Sequence, residues 1–86
     1  MTLPTIHLNG TAAEDLLKQV LDVRAAVNDA INKLSEARPN GRDYYPQGDK
    51  ALTAAINEHN ARRAALDKIA QDMLGMAMHI QEVGNL

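Results

Sequence analysis

The sequence predicts an all-α protein: an antiparallel helical hairpin with an N-terminal extended arm, self-associating into a helical bundle. Three observations carry this expectation. Apolar residues recur in alternating steps of three and four over two long segments. One stretch rich in Pro, Asn and Gly, residues 39–48, separates them. The apolar content is ordinary at 45%, yet fourteen of those residues are alanine, the only aromatics are Tyr44 and Tyr45, and there is no Phe or Trp. In 86 residues such a core gains little buried area per residue, so neighbouring chains are expected to complete it.

The elements follow in order, within a single domain over residues 1–86. Residues 1–10 read as an arm, because Ile6 and Leu8 alternate with Thr5 and His7 at the period of a strand, and Asn9-Gly10 signals a turn. Thr11-Ala12-Ala13-Glu14 has the form of a capping box, which starts helix 1 at 11. Helix 1 is expected over 11–38, with a heptad seam of Ala13, Leu16, Val20, Val23, Val27, Ala30, Leu34 and Ala37. Leu17, Leu21 and Ile31 widen the stripe beyond a two-helix contact. Pro39 disfavours helical geometry at Arg38 and ends the helix.

Residues 39–48 form the connection, which is long for a helical hairpin. Asp49 is the expected N-cap of helix 2, predicted over 49–83 and ~50 Å long at 1.5 Å per residue. Its seam is Leu52, Ala55, His59, Arg62, Leu66, Ile69, Met73, Met76, Ile80 and Val83. Gly84 reads as the stop. Helix 2 is the longer, so folding about the connection is expected to leave its Met76–Val83 end overhanging. The arm or a partner chain would cover that end.

Composition excludes several classes. Without cysteine there is no disulfide scaffold, thiol catalysis or cysteine metal site. Nine basic against eleven acidic residues, a net charge of −2, argue against nucleic-acid binding driven by charge. No apolar run reaches the ~20 residues of a membrane span. The first residues lack the basic and apolar regions of a signal peptide, so a cytoplasmic location is expected. His7, His59 and His79 have no acidic companions at ligand spacing, so no metal is expected. No nucleophile elbow or phosphate-cradling Gly loop is present, and neither an enzyme nor a cofactor is expected.

Two polar spots stand out. His59 and Arg62 occupy successive seam positions where Leu or Ile is usual, and the hairpin is expected to set them near Val27, Ala30 and Ile31, with Arg63 adjacent. Such a pair either fixes register, with Arg62 snorkelling and His59 satisfied by one hydrogen bond, or forms a cationic niche for an anion. The second spot is the connection, where Asn40, Arg42, Asp43, Tyr44, Tyr45 and Gln47 crowd hydrogen-bonding groups and two flat rings onto a Gly- and Pro-shaped frame. Either the rings cap the seam, or a ring stacks on a base while Arg42 holds a phosphate.

The arm Ile6-His7-Leu8-Asn9-Gly10-Thr11, the loop Asn40-Gly41-Arg42-Asp43-Tyr44-Tyr45-Pro46-Gln47-Gly48 and the pair Glu58-His59 resemble those of small phage and prophage accessory proteins. The architecture is similar, more loosely, to the helical-hairpin sponges with which phages sequester the nucleotide signals of CBASS and Thoeris immunity. That resemblance implies a non-enzymatic counter-defence protein of the bacterial cytoplasm, a homo-oligomer that binds a nucleotide-type signal. The phosphates would meet Arg42, Arg62 and Arg63, a base would stack on Tyr44 or Tyr45, and Asn40 or His59 would add polar contacts. The chain lacks the sequence motifs of the helical sponges. The alternatives are a hairpin that inhibits a host defence protein by direct binding, and a structural or assembly role.

Overall fold

A computed structural model describes all 86 residues. Two long helices, α1 (Ala13–Glu36) and α2 (Asp49–Val83), pack against each other, joined by two single 3-10 turns at Gly41–Asp43 and Tyr45–Gln47. The molecule is a rod of 61 × 20 × 17 Å. It contains no strand: the arm has no regular structure up to a turn at Leu8–Gly10, closed by the Gly10 amide donating to the His7 carbonyl at 3.1 Å.

α1 starts and ends two residues inside the expected span. Its N-cap is Ala12, and no side chain caps it, so the Thr11 box does not form. Glu14 and Asp15 in the first turn complement the exposed amides instead. At the other end the Ala37 and Arg38 amides donate three residues back, to Leu34 and Ser35, and tighten the last turn before Pro39. Gly48 rather than Asp49 caps α2; its φ of 97° turns the chain into the helix, and Asp49 sits inside the first turn. α2 ends in a Schellman motif. The Leu86 amide donates to Gln81 at 2.9 Å and the Asn85 amide to Glu82 at 3.3 Å, so the left-handed residue is Asn85 (φ 56°), not Gly84.

Gly84 has a different task. A Cβ there would lie 2.7 Å from Ala13 Cβ, which shows how closely the start of α1 approaches the end of α2. Farther in, Val20, Ala77 and Ile80 form the main core cluster, with Ile6, Leu16, Leu17, Met73 and Met76 packed around it. Ala13 against Gly84 and Val20 against Ala77 set the antiparallel register. At equal rise along both helices, the last residue of α1 reaches about Ala61. The overhang is therefore at the start of α2, not at Met76–Val83. It is covered by the connection, whose Gly41 lies against Leu52.

The helices also meet along a different stripe from the one expected. The positions at least half-buried on α1 include Ala13, Leu17, Val20, Arg24, Val27, Ile31 and Leu34, while Val23, Ala30 and Ala37 are exposed. On α2 the inner positions include Leu66, Ala70, Met73, Ala77, Ile80 and Gly84, while Arg62, Ile69 and Val83 are exposed. Leu16, Leu52, Ala55 and Met76 keep the inner places expected of them, while Arg24, Ile31, Ala70 and Gly84 take those of Val23, Ala30, Ile69 and Val83. The reason is size. The shifted column of α2 carries Ala70, Ala77 and Gly84, whose small side chains admit Leu17 and Ile31 from α1 at close range.

The arm lies along the end of the hairpin. Pro4 O accepts a hydrogen bond at 2.8 Å from His79 Nε2, which must carry the hydrogen because a carbonyl only accepts. Leu3 to Ile6 run beside His79 and Val83. His79→Ala is expected to speed amide exchange at Gly10, the one hydrogen-bonded amide of the arm, while leaving the helical circular dichroism unchanged. The lost bond is worth about 1 kcal/mol. Unchanged exchange would show that apolar contacts alone hold the arm.

Candidate functional site

The connection is a polar surface held by its own local hydrogen bonds. Asn40 Oδ1 accepts from the Arg42 amide at 3.0 Å, which starts the first 3-10 turn. Amides of Asp43 and Tyr44 donate to the Asn40 and Gly41 carbonyls at 3.3 and 3.2 Å. The second turn follows at once, with Gln47 donating to Tyr44 at 3.0 Å and Gly48 to Tyr45 at 3.2 Å. Pro46 holds φ for this turn. The amides of Arg42, Asp43, Tyr44, Gln47 and Gly48 are thus all bonded within the connection.

On this frame the two tyrosines part company. Tyr44 is half-buried and closes the turn-to-helix junction. Tyr45 stands 78% exposed. Beside it runs an open groove of about 300 Å³, lined by Gly41, Tyr45, Gly48, Asp49 and Leu52. Arg42, Asp43 and Gln47 are exposed around it. Arg42 forms no ion pair. The one charged group lining the groove is the Asp49 carboxylate, which opposes an anion beside the Tyr45 ring.

His59, Arg62 and Arg63 do not join this surface, nor do they form a niche together. His59 is buried, with 8% exposure, and it is the one buried polar residue. Its ring makes no hydrogen bond within the chain, and neither ring nitrogen is sealed from solvent. In the observed register His59 lies beyond α1, near the first residues of the connection, so it does not face Val27, Ala30 and Ile31. Arg62 is exposed because the contact stripe has moved past it. Arg63 is held by Asp67, its Nε donating to both carboxylate oxygens at 3.3 and 3.2 Å. Ten residues of α2, about 15 Å, separate Leu52 in the groove from Arg62.

Two features had no part in the sequence reading. Arg24 is half-buried in the contact stripe, its stem covering apolar surface; the column Leu17, Arg24, Ile31 was the available signal. At the arm end, Leu86 joins Leu17 and Leu21 in an open groove of about 420 Å³ with Glu14, Lys18 and Asp22. Lys18 is committed there. The hydrogen bond to Asp22 at 2.7 Å, and then the charge of that carboxylate, hold the Lys18 ammonium above its ordinary pKa. No group of three or more His, Cys, Asp or Glu side chains converges anywhere, and no helix is long and apolar enough to cross a membrane. Compared with protein-family models, with curated proteins and with solved structures, the chain matches none of them.

Proposed function

We propose that the chain is a non-enzymatic protein-binding module that docks through the connection, with Tyr45 as its anchor and Arg42 beside it. One observation carries this reading: a loop fixed by successive backbone hydrogen bonds presents a tyrosine ring that is 78% exposed. An aromatic that packs on nothing contributes little to the fold. On a rigid frame it can be buried by a partner with little loss of loop entropy. Tyr and Arg dominate the strongest contacts of protein interfaces. The resemblance to phage accessory proteins suggests the class of partner, a host defence protein that the hairpin inhibits by masking it.

Sequestration of a nucleotide-type signal is the second reading. Arg42 and Arg62, exposed and without ion-pair partners, favour it. The open groove and the Asp49 carboxylate count against it, because sequestration needs enclosure and phosphates need cations.

Tyr45→Ala separates the readings. In copurification from a bacterial lysate, wild type is expected to retain one protein in stoichiometric amount. Tyr45→Ala is expected to lose it, a drop of about 30-fold or more in affinity for a central aromatic, with helical content unchanged. A partner held equally by wild type, Tyr45→Ala and Arg42→Ala would remove the connection from the interface. Calorimetric titration with cyclic dinucleotides and ADP-ribose tests the other reading. Binding that both Tyr45→Ala and Arg62→Ala weaken would move the conclusion to sequestration.

A further inference from the structure

The one-residue shift of the contact stripe has a geometric consequence. Two antiparallel helices are related by a two-fold axis perpendicular to the plane that contains them. Residues displaced in the same sense from the contact line on each helix therefore emerge on the same broad side of the hairpin. Val23 and Ala30 of α1 and Ile69 and Val83 of α2 were displaced in this way. They form one apolar side, with Val23 46% and Ile69 42% exposed. The arm crosses this side at the Val83 end and leaves Val23, Ala30 and Ile69 uncovered. On the opposite side the corresponding columns are mostly polar, with Asn28, Ser35, Asn60 and Asp67 separating Leu74 from Leu21, which faces the groove it shares with Leu17 and Leu86.

Area supports a second copy as the occupant. The chain exposes 6294 Å², whereas a compact chain of 9.4 kDa exposes about 5,000 Å². The excess, about 1,300 Å², is spread over a rod of 61 × 20 × 17 Å and leaves room for the ~800 Å² that each partner buries in a standard interface. We infer that a second copy of this chain covers the Val23–Ile69 side, forming a four-helix bundle about a two-fold axis. The copies run antiparallel, each connection lying toward its partner's arm end. That orientation separates the two Arg62 guanidiniums, the one charge in these columns, whereas parallel docking would bring them together. The inference goes beyond the docking role of Tyr45, which sits on the connection at the end of the rod and remains free in the dimer.

The test is sedimentation equilibrium on the full chain over a range of concentrations. Wild type is expected at twice the chain mass. Val23→Glu with Ile69→Glu should weaken association on the order of 100-fold, while Leu21→Glu with Leu74→Glu should leave it unchanged. Should the glutamate variants unfold, cysteine variants keep the inference testable, because the chain has no other thiol. Under mild oxidation Ile69→Cys is expected to give a disulfide-linked dimer and Leu74→Cys is not. A wild-type mass of one chain at every concentration overturns the inference. So does dissociation by the Leu21 and Leu74 pair alone, or cross-linking at Leu74→Cys in place of Ile69→Cys. None of these outcomes bears on whether Tyr45 binds a protein, which the lysate experiment reads separately.

Discussion

Ile80→Ala is expected to destabilise the chain by about 2–4 kcal/mol, the range for truncating a buried isoleucine where the surroundings relax only partly. Ile80 is the one large side chain wholly removed from solvent, at 0% exposure. It meets Val20 and Ala77 in a cluster that also seats Ile6 from the arm and Leu16 and Leu17 from α1. Losing its terminal carbons loosens three segments at once, and the other buried apolar residues are few: Val20, Ile31 and Ala77. Total stabilities of small domains are ~5–15 kcal/mol, so one substitution removes a large fraction. Urea unfolding followed by circular dichroism reads the effect as a lower midpoint at unchanged slope. Leu74→Ala, on an exposed side chain of the same helix, is expected to change stability by less than ~1 kcal/mol. Equal losses for the two variants would mean that the arm end is not the core.

Gly84→Ala is the second large effect, expected at about 1–3 kcal/mol from overpacking. The backbone there has φ −90°, which alanine adopts freely, so the cost is steric. The new Cβ would stand 2.7 Å from Ala13 Cβ and 2.8 Å from the Ile80 carbonyl oxygen. Neither is the far end of a flexible side chain. Relief of the first contact requires the start of α1 to move away, which opens the Val20–Ala77–Ile80 cluster beside it; relief of the second requires the end of α2 itself to shift. A double-mutant cycle with Ala13→Gly isolates this contact: the penalty of Gly84→Ala should shrink substantially in the Ala13→Gly background. Strictly additive penalties would show that Gly84 is needed for some reason other than the approach of α1.

The two helices and the break at Pro39 were legible because each rests on local signals: periodicity, a proline and a turn-rich run. The contact line was not. Each stripe is three columns wide, and a choice of one residue decides whether Val23 or Arg24, Ile69 or Ala70, turns inward. The decision belongs to the pairing of small residues on one helix with large ones on the other, as Ala77 shows against Val20. No single helix contains that information. The longitudinal offset was missed for a related reason. A hairpin was assumed to start pairing at its connection, whereas here the connection folds back along the first turns of α2. The candidate site divided along the same line. The loop residues share a surface because they are neighbours in sequence, while placing His59, Arg62 and Arg63 depended on the register.

The position of the core cluster also sets how the chain must fold. Helical hairpins commonly close from the turn outward, each new contact adding a short loop. In this chain the strongest contacts join Ile6 and Val20 to Ala77 and Ile80, at the end farthest from the connection. Loop closure must then span most of the sequence before the main apolar gain arrives, at an entropic cost that grows with the logarithm of the span. The stretch nearer the connection buries less, with Ile31 its one buried apolar residue and Leu34, Leu52, Ile56 and Leu66 half-buried. An all-helical chain of this size would ordinarily fold among the fastest proteins. In this one the main apolar gain waits on contacts far apart in sequence, so its refolding rate should respond far more to substitutions at Val20 and Ile80 than to those at Leu52.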